Sequence, residues 1–485
     1  MYLYGIKNHD KLPMRQHNYN KQHTVDSLIL EYEAMSQKGT VVFFEETVFS
    51  QIISYYENES SIDQALAVVN QALNQYLDST NLYCKKAELL AKQKQQVAAM
   101  NAIQQAEVLS PSDYEVKLIK AEVLGLFGDH GYALSIIQEL KNACHIEHEN
   151  QLADIFFSEG IIFEHMQQYD SVFNSWKQTL MFNPSHKEAM NRIWLSVEMS
   201  RKFDESIILC NKLIDHAPYS EKAWYNLGHA HTYYGNYEAA IEAYEYAFII
   251  DKEFESAYRH CAELCMEIQD YAKALDCYEE VLTYILPDGE LLFKIGQCYQ
   301  FLGKIDIAQE FYKRSIKMDE INDEVYFHLG QCAAQEKIWS QAVIYLKKAL
   351  EIERGREEYF IALAEVYATL SRKEKAYYYF NKAMELVPEQ ANYWIKYAAF
   401  LIKEEAYNDA LELLEEAKEN AVGTEFLFCE AACLFRMNQQ KSAINVLAEA
   451  LTEEFDMYPM LFDFAPELSN HKKIETIIDF YRYEA

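Results

Sequence analysis

Two pairs of cysteines are the residues whose spacing first suggests chemistry. Cys261 and Cys265 stand four residues apart, directly after His260. Cys429 and Cys433 have the same spacing. On a helix each pair would lie on one face, where thiolates and an imidazole bind soft metal ions. A zinc site needs about four ligands, however, and no CxxC or HxxxH motif stands nearby. We therefore predict that the cysteines are small buried residues and that the chain binds no metal.

Enzyme motifs are the next signal to look for. Acidic residues are so numerous that a pair of carboxylates indicates nothing by itself. The segment HIEHE at 145–149 has the residue types of a zinc peptidase motif, but its spacing differs from H-E-x-x-H. The sequence has no G-x-G-x-x-G, no Walker A loop and no G-x-S-x-G. We therefore predict a protein that is not an enzyme and that has no cofactor.

The composition excludes several classes of partner. Asp and Glu number 76 against 44 Lys and Arg, and the net charge of −32 repels phosphate backbones and anionic lipids. Only 14 Gly and 8 Pro occur among 485 residues, which favours helices over a turn-rich β-fold. The N-terminus lacks the apolar segment of an export signal, and no apolar run is long enough to span a membrane. We expect a cytoplasmic protein that binds neither nucleic acid nor membrane.

Small residues recur every 34 positions, and other residue types keep register with them. A second alanine follows each small residue after twelve positions, and a large residue follows after sixteen, as Ala240 and Tyr244 follow Gly228. This pattern predicts a helix, a turn near Gly235 and a second helix in every repeat. One such hairpin cannot bury its apolar face alone, so the repeats must stack. The small residues that define the period are Gly228, Ala262, Gly296, Gly330, Ala364 and Ala398.

The repeat resembles the tetratricopeptide repeat (TPR). The layout of the chain also resembles long, acidic, cytosolic TPR proteins of Bacteroidetes-type bacteria. The resemblance implies an all-α fold, an α-solenoid of about twelve helical hairpins in a right-handed superhelix with capping helices at both ends. It also implies that the first helix of each hairpin lines a concave groove. The residues that match the TPR pattern in 221–254 are Trp224, Leu227, Gly228, His231, Ala240, Tyr244 and Ala247.

The same register predicts the organisation of the whole chain. We expect a flexible tail at 1–24, a capping helix and connection at 25–45, the TPR array at 46–457 and a C-terminal cap at 458–485. An insertion near 141–150 lengthens one period to 39 residues, and the sequence does not indicate its role. The repeats start near 46, 80, 114, 153, 187, 221, 255, 289, 323, 357, 391 and 424.

Candidate contacts with a partner follow from the TPR resemblance, which implies that positions two, five, nine and twelve face the groove. The alternative is that these residues pack only against neighbouring first helices. In the first repeats, Glu88 and Glu122 stand at position nine and would favour a basic segment. The candidates at positions five and nine of the central repeats are Tyr225, His229, Arg259, Glu263, Phe293, Gln297, Phe327 and Gln331.

The function that these features favour is a scaffold or adaptor that binds a peptide or partner protein in its groove. Some TPR proteins hold a C-terminal carboxylate in a basic clamp, but Asn191 and Leu195 stand where that clamp needs Lys and Asn. Two alternatives remain, a regulatory sensor that responds to a peptide and a chaperone or assembly factor without the clamp. The sequence does not indicate the partner's identity, the pathway, the oligomeric state or whether the concave or the convex face binds.

Overall fold

The computed structural model describes residues 27–34, 43–144 and 148–482. The predicted tail at 1–24 lies outside these residues, as do parts of the predicted cap at 25–45 and residues 145–147 of the predicted insertion. Every regular element in the described residues is an α-helix or a 3-10 helix. The all-α prediction is therefore confirmed. The chain divides into two compact units, Met1–Ala257 and Tyr258–Ala485.

The first unit consists of helices that pair as hairpins in chain order, each with the helix that follows it. We number them from the N-terminus. They are α1 (27–34), α2 (Glu46–Asn58), α3 (Ile62–Gln75), α4 (Thr80–Lys92), α5 (Gln96–Leu109), α6 (Tyr114–Leu126), α7 (His130–Ala143), α8 (Glu149–His165), α9 (Tyr169–Phe182), α10 (Lys187–Ser200), α11 (Phe203–His216), α12 (Glu221–Tyr234) and α13 (Tyr237–Ile250).

The second unit repeats this plan, and the division between the units falls inside its first helix. Two 3-10 helices, Phe455–Met457 and Pro466–Asn470, flank α26 near its end. The helices are α14 (Glu255–Glu267), α15 (Tyr271–Tyr284), α16 (Gly289–Phe301), α17 (Ile305–Met318), α18 (Asp323–Gln335), α19 (Trp339–Ile352), α20 (Glu357–Thr369), α21 (Lys373–Leu386), α22 (Ala391–Lys403), α23 (Tyr407–Asn420), α24 (Glu425–Arg436), α25 (Gln440–Glu453), α26 (Pro459–Phe464) and α27 (Lys472–Arg482).

A residue with positive φ closes the turn of every hairpin in the described chain. Glycine holds this place at Gly128, Gly235 and Gly303, and non-glycine residues hold it at nine other turns. These residues follow one another every 34 positions, apart from steps of 39 from Gly128 to Gln167 and 33 from Glu405 to Asn438. Twelve such turns confirm the prediction of about twelve helical hairpins.

Close packing inside each hairpin explains the spacing of sixteen between small and large residues. A Cβ atom added at Gly228 would lie 2.6 Å from Cε1 of Tyr244, and one added at Gly296 would lie 2.5 Å from Cε1 of Tyr312. Both rings are fully buried. The glycine therefore lets the ring of the second helix lie directly on the backbone of the first helix. A larger side chain there would overpack the hairpin, at a cost of about 1–3 kcal/mol.

Helices at both ends of the described chain cover apolar faces. In α1, Ile29 and Tyr32 are buried in one cluster with Ile52 of α2. In α27, Ile474 and Ile478 are buried against the elements that follow the last hairpin. These helices meet the requirement that the outer faces of terminal repeats be covered. The two units are therefore α-solenoids with capping helices, α1 at the start of the first and α27 at the end of the second.

Candidate functional site

A cleft of about 520 Å³ crosses the first helices of three successive hairpins in the second unit. Its side chains come from α16, α18 and α20, with contributions from Trp339 and Leu346 of α19. Most of its polar residues carry neutral amide or hydroxyl groups. We call it the amide cleft and define it by Gln300, Gln331, Gln335, Trp339, Glu365 and Thr369.

An apolar wall stands beside these polar groups. Phe301 is 49% exposed, and its ring stacks on Tyr271 with centroids 4.7 Å apart. Val366 and Leu346 also line the cleft and are buried. Glu365 is the acidic residue of the cleft, and its carboxylate lies 2.8 Å from the ammonium of Lys396. The cleft therefore combines apolar contact area with neutral polar groups, which is typical of ligand sites.

A hydrogen-bonded network lies directly behind the cleft. The Oε1 atom of Gln300 accepts from the Tyr312 hydroxyl at 2.7 Å and from Nδ1 of His328 at 2.9 Å. The Nε2 atom of Gln300 donates to Oε1 of Gln331 at 3.2 Å. On the far side, Nε2 of Gln297 lies 3.2 Å from Nε2 of His328. The network joins residues of α16, α17 and α18, so hairpin packing positions every member.

His328 holds the centre of this network as a neutral ring. Burial, aided by the positive charge of Lys294, lowers the pKa of His328 to about 4. The ring also packs edge-on against Phe293, with centroids 5.3 Å apart. A proton on Nε2 would face the amide hydrogens of Gln297, which can only donate. The surroundings therefore favour the neutral ring with its hydrogen on Nδ1.

The four candidate residues on α16 and α18 lie in different environments. Gln331 lines the amide cleft, and Gln297 reaches the same network through His328. Phe327 is partly buried, and its ring lies 4.8 Å from that of Tyr359. Phe293 is only 4% exposed and packs in a core cluster with Tyr312. Its ring supports the network from below and offers almost no surface to a partner, unlike the groove-facing position that the resemblance implied.

Two further candidates, Arg259 and Glu263, lie on α14 and do not line the amide cleft. The guanidinium of Arg259 donates to the carboxylate of Asp288 at 2.9 Å. Glu263 is exposed. An ion pair within the unit therefore already holds Arg259, whereas the carboxylate of Glu263 faces solvent.

The first unit holds the other two candidates in an aromatic cluster on α12. The His229 ring stacks on Trp194 with centroids 4.6 Å apart and meets Tyr225 edge-on at 4.4 Å. Its Nδ1 atom lies 3.1 Å from the hydroxyl of Tyr244. Tyr225 and His229 are both partly buried. The contact with Trp194 connects α10 to α12, whereas the others lie within α12 or between α12 and α13, so both residues pack against their neighbours.

A second, smaller cleft of about 230 Å³ lies in the first unit between α4, α6 and α8. Burial, together with the charge of Glu88, raises the pKa of Glu122 to about 7, although the Ser158 hydroxyl donates to Glu122 at 2.5 Å. No Lys or Arg of the described chain lines this cleft, although the Lys85 ammonium lies 2.9 Å from the carboxylate of Glu88 and the charge of Arg192 opposes the rise in the pKa of Glu122. We call it the acidic cleft and define it by Glu88, Glu115, Glu122 and Asp154.

Gln300 and His328 are site residues that the sequence reasoning did not single out. They stand at positions twelve and six of their repeats, whereas the candidates came from positions five and nine. Position twelve was expected to face the groove, so reading that column would have found Gln300. No sequence signal marks His328, because its partners lie 28 and 31 residues away in the preceding hairpin.

Nine of the ten cysteines are buried, as the sequence predicts for them, whereas Cys144 is only partly buried. Cys261 and Cys265 are fully buried, and neighbouring thiols and burial hold the pKa of Cys261 far above its usual range. In residues 27–34, 43–144 and 148–482, no group of three or more His, Cys, Asp and Glu could hold a metal ion. Most of HIEHE (145–149) lies outside these residues. The described helices include none that is long and apolar enough to cross a bilayer.

Two segments of the chain match family models. Residues 221–254 and 289–322 each match a model described as tetratricopeptide repeat. The first segment contains α12 and α13, and the second contains α16 and α17. The chain therefore contains tetratricopeptide repeats, as its residue pattern predicts.

Similarity to individual proteins is low. Protein bimA of Emericella nidulans is 24% identical over 140 residues, which are 29% of this chain and 17% of that protein. The solved structure of YrrB, described as a TPR protein with an unusual peptide-binding site, is 22% identical, covers 37% of this chain and 93% of its own, and has a TM-score of 0.33. The APC/C hetero-tetramer Cut9–Hcn1 is 14% identical, with coverages of 90% and 95% and a TM-score of 0.38. At these TM-scores the solved structures say nothing about what this chain binds.

Proposed function

We propose that this chain is a non-enzymatic scaffold that binds a peptide or a segment of a partner protein. Tetratricopeptide repeats generally mediate contacts between proteins. The observation that carries the proposal is the amide cleft, where three successive first helices present neutral polar groups beside an apolar wall. A peptide needs both kinds of surface, since its main chain forms hydrogen bonds while its side chains bury apolar area.

The proposed contacts in the second unit are Gln331 in the cleft and Phe327 and Gln297 next to it. The remaining groove candidates, Tyr225, His229, Arg259 and Glu263, stay proposals for other parts of the partner. We place the protein in the cytoplasm as part of the same proposal. The ten cysteines support a reducing compartment, because all are free thiols and nine are buried.

A blocking substitution tests the amide cleft. Thr369 is exposed, lines the cleft and donates its hydroxyl to the carbonyl of Glu365 at 2.9 Å. Thr369→Trp should fill the cleft without disturbing the core. Thr452 near the end of α25 is equally exposed, and its hydroxyl makes the same bond to Ala448. Thr452→Trp is therefore a matched control.

Peptides selected from a random display library on the full chain provide the probe for this test. We expect Thr369→Trp to weaken their binding by at least about tenfold in a fluorescence titration, which corresponds to about 1.4 kcal/mol. Thr452→Trp should bind like the wild type. Selected peptides that bind equally well to both variants would show that the amide cleft is not the site.

We further propose that the partner carries a basic segment that binds the acidic cleft. The observation in its favour is the carboxylate of Glu122, whose raised pKa reports both burial and the repulsion of Glu88. A lysine or arginine side chain would relieve that repulsion. Because the bound cation favours the ionised carboxylate, affinity should rise as the pH increases from 6 to 8.

A terminally blocked octalysine peptide tests this second site. Glu88→Gln with Glu115→Gln removes two carboxylates from the cleft, whereas Glu238→Gln with Glu242→Gln removes two exposed carboxylates from α13. Both double variants change the net charge equally. The first should lose most of the affinity and the second little. Equal losses would attribute the binding to the overall charge of the protein and refute a specific site.

A further inference from the structure

We infer that the amide cleft selects an uncharged, extended peptide segment by binding its carbonyl oxygens, and that Gln300 is the positioning residue that sets this preference. The inference rests on the proposed function and specifies the chemistry of the ligand in the same cleft. It follows from the direction of each hydrogen bond behind the cleft, from the charges that line it and from the groups that different ligands could present.

The direction of the network starts at the oxygen of Gln300. An amide oxygen can only accept, so both the Tyr312 hydroxyl and Nδ1 of His328 must donate to it. His328 then has its hydrogen on Nδ1, and its Nε2 atom accepts from the amide of Gln297. Tyr312 is fully buried and cannot exchange this bond for one with water. The orientation of the Gln300 amide is therefore determined by two donors on neighbouring helices.

This orientation determines what the cleft presents. With its oxygen engaged, Gln300 points Nε2 at Gln331 and donates to the Oε1 atom of that residue. The Nε2 atom of Gln331 is then left on the cleft side with hydrogens to donate. No described residue accepts a hydrogen bond from it. Gln331 is partly buried, so a ligand that leaves this donor without an acceptor loses affinity.

The charges around the cleft decide which acceptor fits. None of the described Lys and Arg residues lines it, and Glu365 is already paired with Lys396. A carboxylate or phosphate would therefore meet no unpaired cation, in a chain of net charge −32. An ammonium or guanidinium group carries only donors and cannot accept from Gln331. A neutral carbonyl oxygen accepts a hydrogen bond without carrying charge.

The shape of the cleft identifies where such carbonyl groups come from. Trp339 and Phe301 line the cleft together with Gln331 and offer apolar surface to a ligand. An extended peptide presents carbonyl oxygens at regular intervals and projects side chains between them. An uncharged segment of this kind satisfies the donor and the apolar wall together. We commit to this occupant, and charged segments become outcomes of the test.

The inference can be tested by reversing the hydrogen bond between the side chains of Gln300 and Gln331. Gln300→Glu keeps the shape of the side chain and replaces Nε2 by a second acceptor. One carboxylate oxygen still accepts from Tyr312 and His328, and the other must accept from Nε2 of Gln331. The Gln331 amide then turns its oxygen toward the cleft, which should favour ligands with donor groups. Gln331→Glu presents an acceptor directly from a less buried position, in case Gln300→Glu does not fold.

The probes are three pools of blocked octapeptides made of Ala, Ser, Leu, Phe and Gln that differ in one central residue, Gln, Lys or Glu. Wild-type protein should bind the Gln pool about tenfold more tightly than the other two. Gln300→Glu and Gln331→Glu should prefer the Lys pool, whereas Gln341→Glu at an exposed site of α19 should keep the wild-type order. Melting curves by circular dichroism check that each variant is folded.

The outcomes separate this inference from the proposed function. A preference that reverses in Gln300→Glu supports the positioning role, because a purely structural defect would weaken all pools equally. If Gln300→Glu is folded and keeps the wild-type order while Gln331→Glu reverses it, the role of Gln300 is refuted. Equal weakening of all pools, or a wild-type preference for Lys or Glu, would overturn the inference while leaving a peptide site in place. If no pool and no selected peptide binds, the proposed function fails as well.

Discussion

The acidic cleft and the amide cleft both lie across the first helices of successive hairpins, yet they differ in the charge of the side chains that line them. Position nine carries Glu88 and Glu122 in the acidic cleft, whereas in the amide cleft it carries Gln331 and also Glu365, whose carboxylate is paired with Lys396. Burial shifts the pKa of an ionisable group at each cleft: it raises the pKa of Glu122 to about 7 and lowers the pKa of His328 to about 4. Each shift favours the uncharged form. Both clefts therefore lie on first helices, and we expect their side chains to determine what charge each accepts.

We expect the largest change in stability from a variant that disrupts the packing under the amide cleft and leaves the acidic cleft intact. Phe293→Ala removes a ring that packs on His328 and Tyr312, and the loss should cost about 3–5 kcal/mol. Because repeats depend mainly on their neighbours, hydrogen exchange should accelerate in α16 to α18 and stay unchanged in α4 to α8. Phe301→Ala is the control, since that ring is 49% exposed. Uniform acceleration along the chain would show that the two units unfold together.

The two clefts should also differ in how pH changes the stability of the protein. For His328 the folded pKa of about 4 lies below the ordinary 6.5, so the unfolded chain binds the proton first. Its contribution to stability is present above pH 6.5 and is lost as the pH falls toward 4. For Glu122 the folded pKa of about 7 lies above the ordinary 4.5. Its contribution is present below pH 4.5 and is lost as the pH rises through 7.

Urea unfolding between pH 4 and 7.5 measures both contributions. Each shift spans about 2.5 pKa units and is therefore worth up to about 3 kcal/mol. The wild type should lose stability as the pH falls from 6.5 toward 4, and His328→Phe should lose less. The wild type should also lose stability as the pH rises from 4.5 through 7, and Glu122→Gln should lose less. Difference profiles with the same sign for both variants would contradict the opposite roles of the two groups.

The smallest effect concerns two tyrosines that occupy the same position in successive repeats. Tyr312 donates to Gln300, whereas the buried hydroxyl of Tyr278 has no hydrogen-bond partner among the described residues. Tyr312→Phe should lower the free energy of unfolding by about 1 kcal/mol. Tyr278→Phe should leave it unchanged or raise it. Equal losses in urea titrations would argue against the network behind the amide cleft.

The fold was predictable from sequence to a large extent, for a physical reason. Gly228 and Tyr244 report a contact inside one hairpin, which every repeat must form in the same way. A requirement repeated twelve times leaves a period in the sequence, and positive φ values recur with that period. Local packing rules were therefore enough to predict the hairpins and the turn at Gly235.

The candidate site was less predictable, because its contacts connect different hairpins. Gln331 was proposed from position nine of its repeat and lines the cleft. Phe293 was proposed from position five of its repeat, but it is buried in the core. Its neighbour His328 comes from the next repeat and fills the space through which position five was expected to face outward. Only the three-dimensional arrangement shows which side chain of a first helix is covered by the next one.

The most direct test of the account is to map where two probes bind on the full chain. Hydrogen exchange should be measured with the uncharged octapeptide pool and, separately, with octalysine. The account predicts that the uncharged pool protects α16, α18 and α20, while octalysine protects α4, α6 and α8. Protection of the same helices by both probes, or an exchange of their places, would contradict the claim that the two clefts differ in the charge they accept.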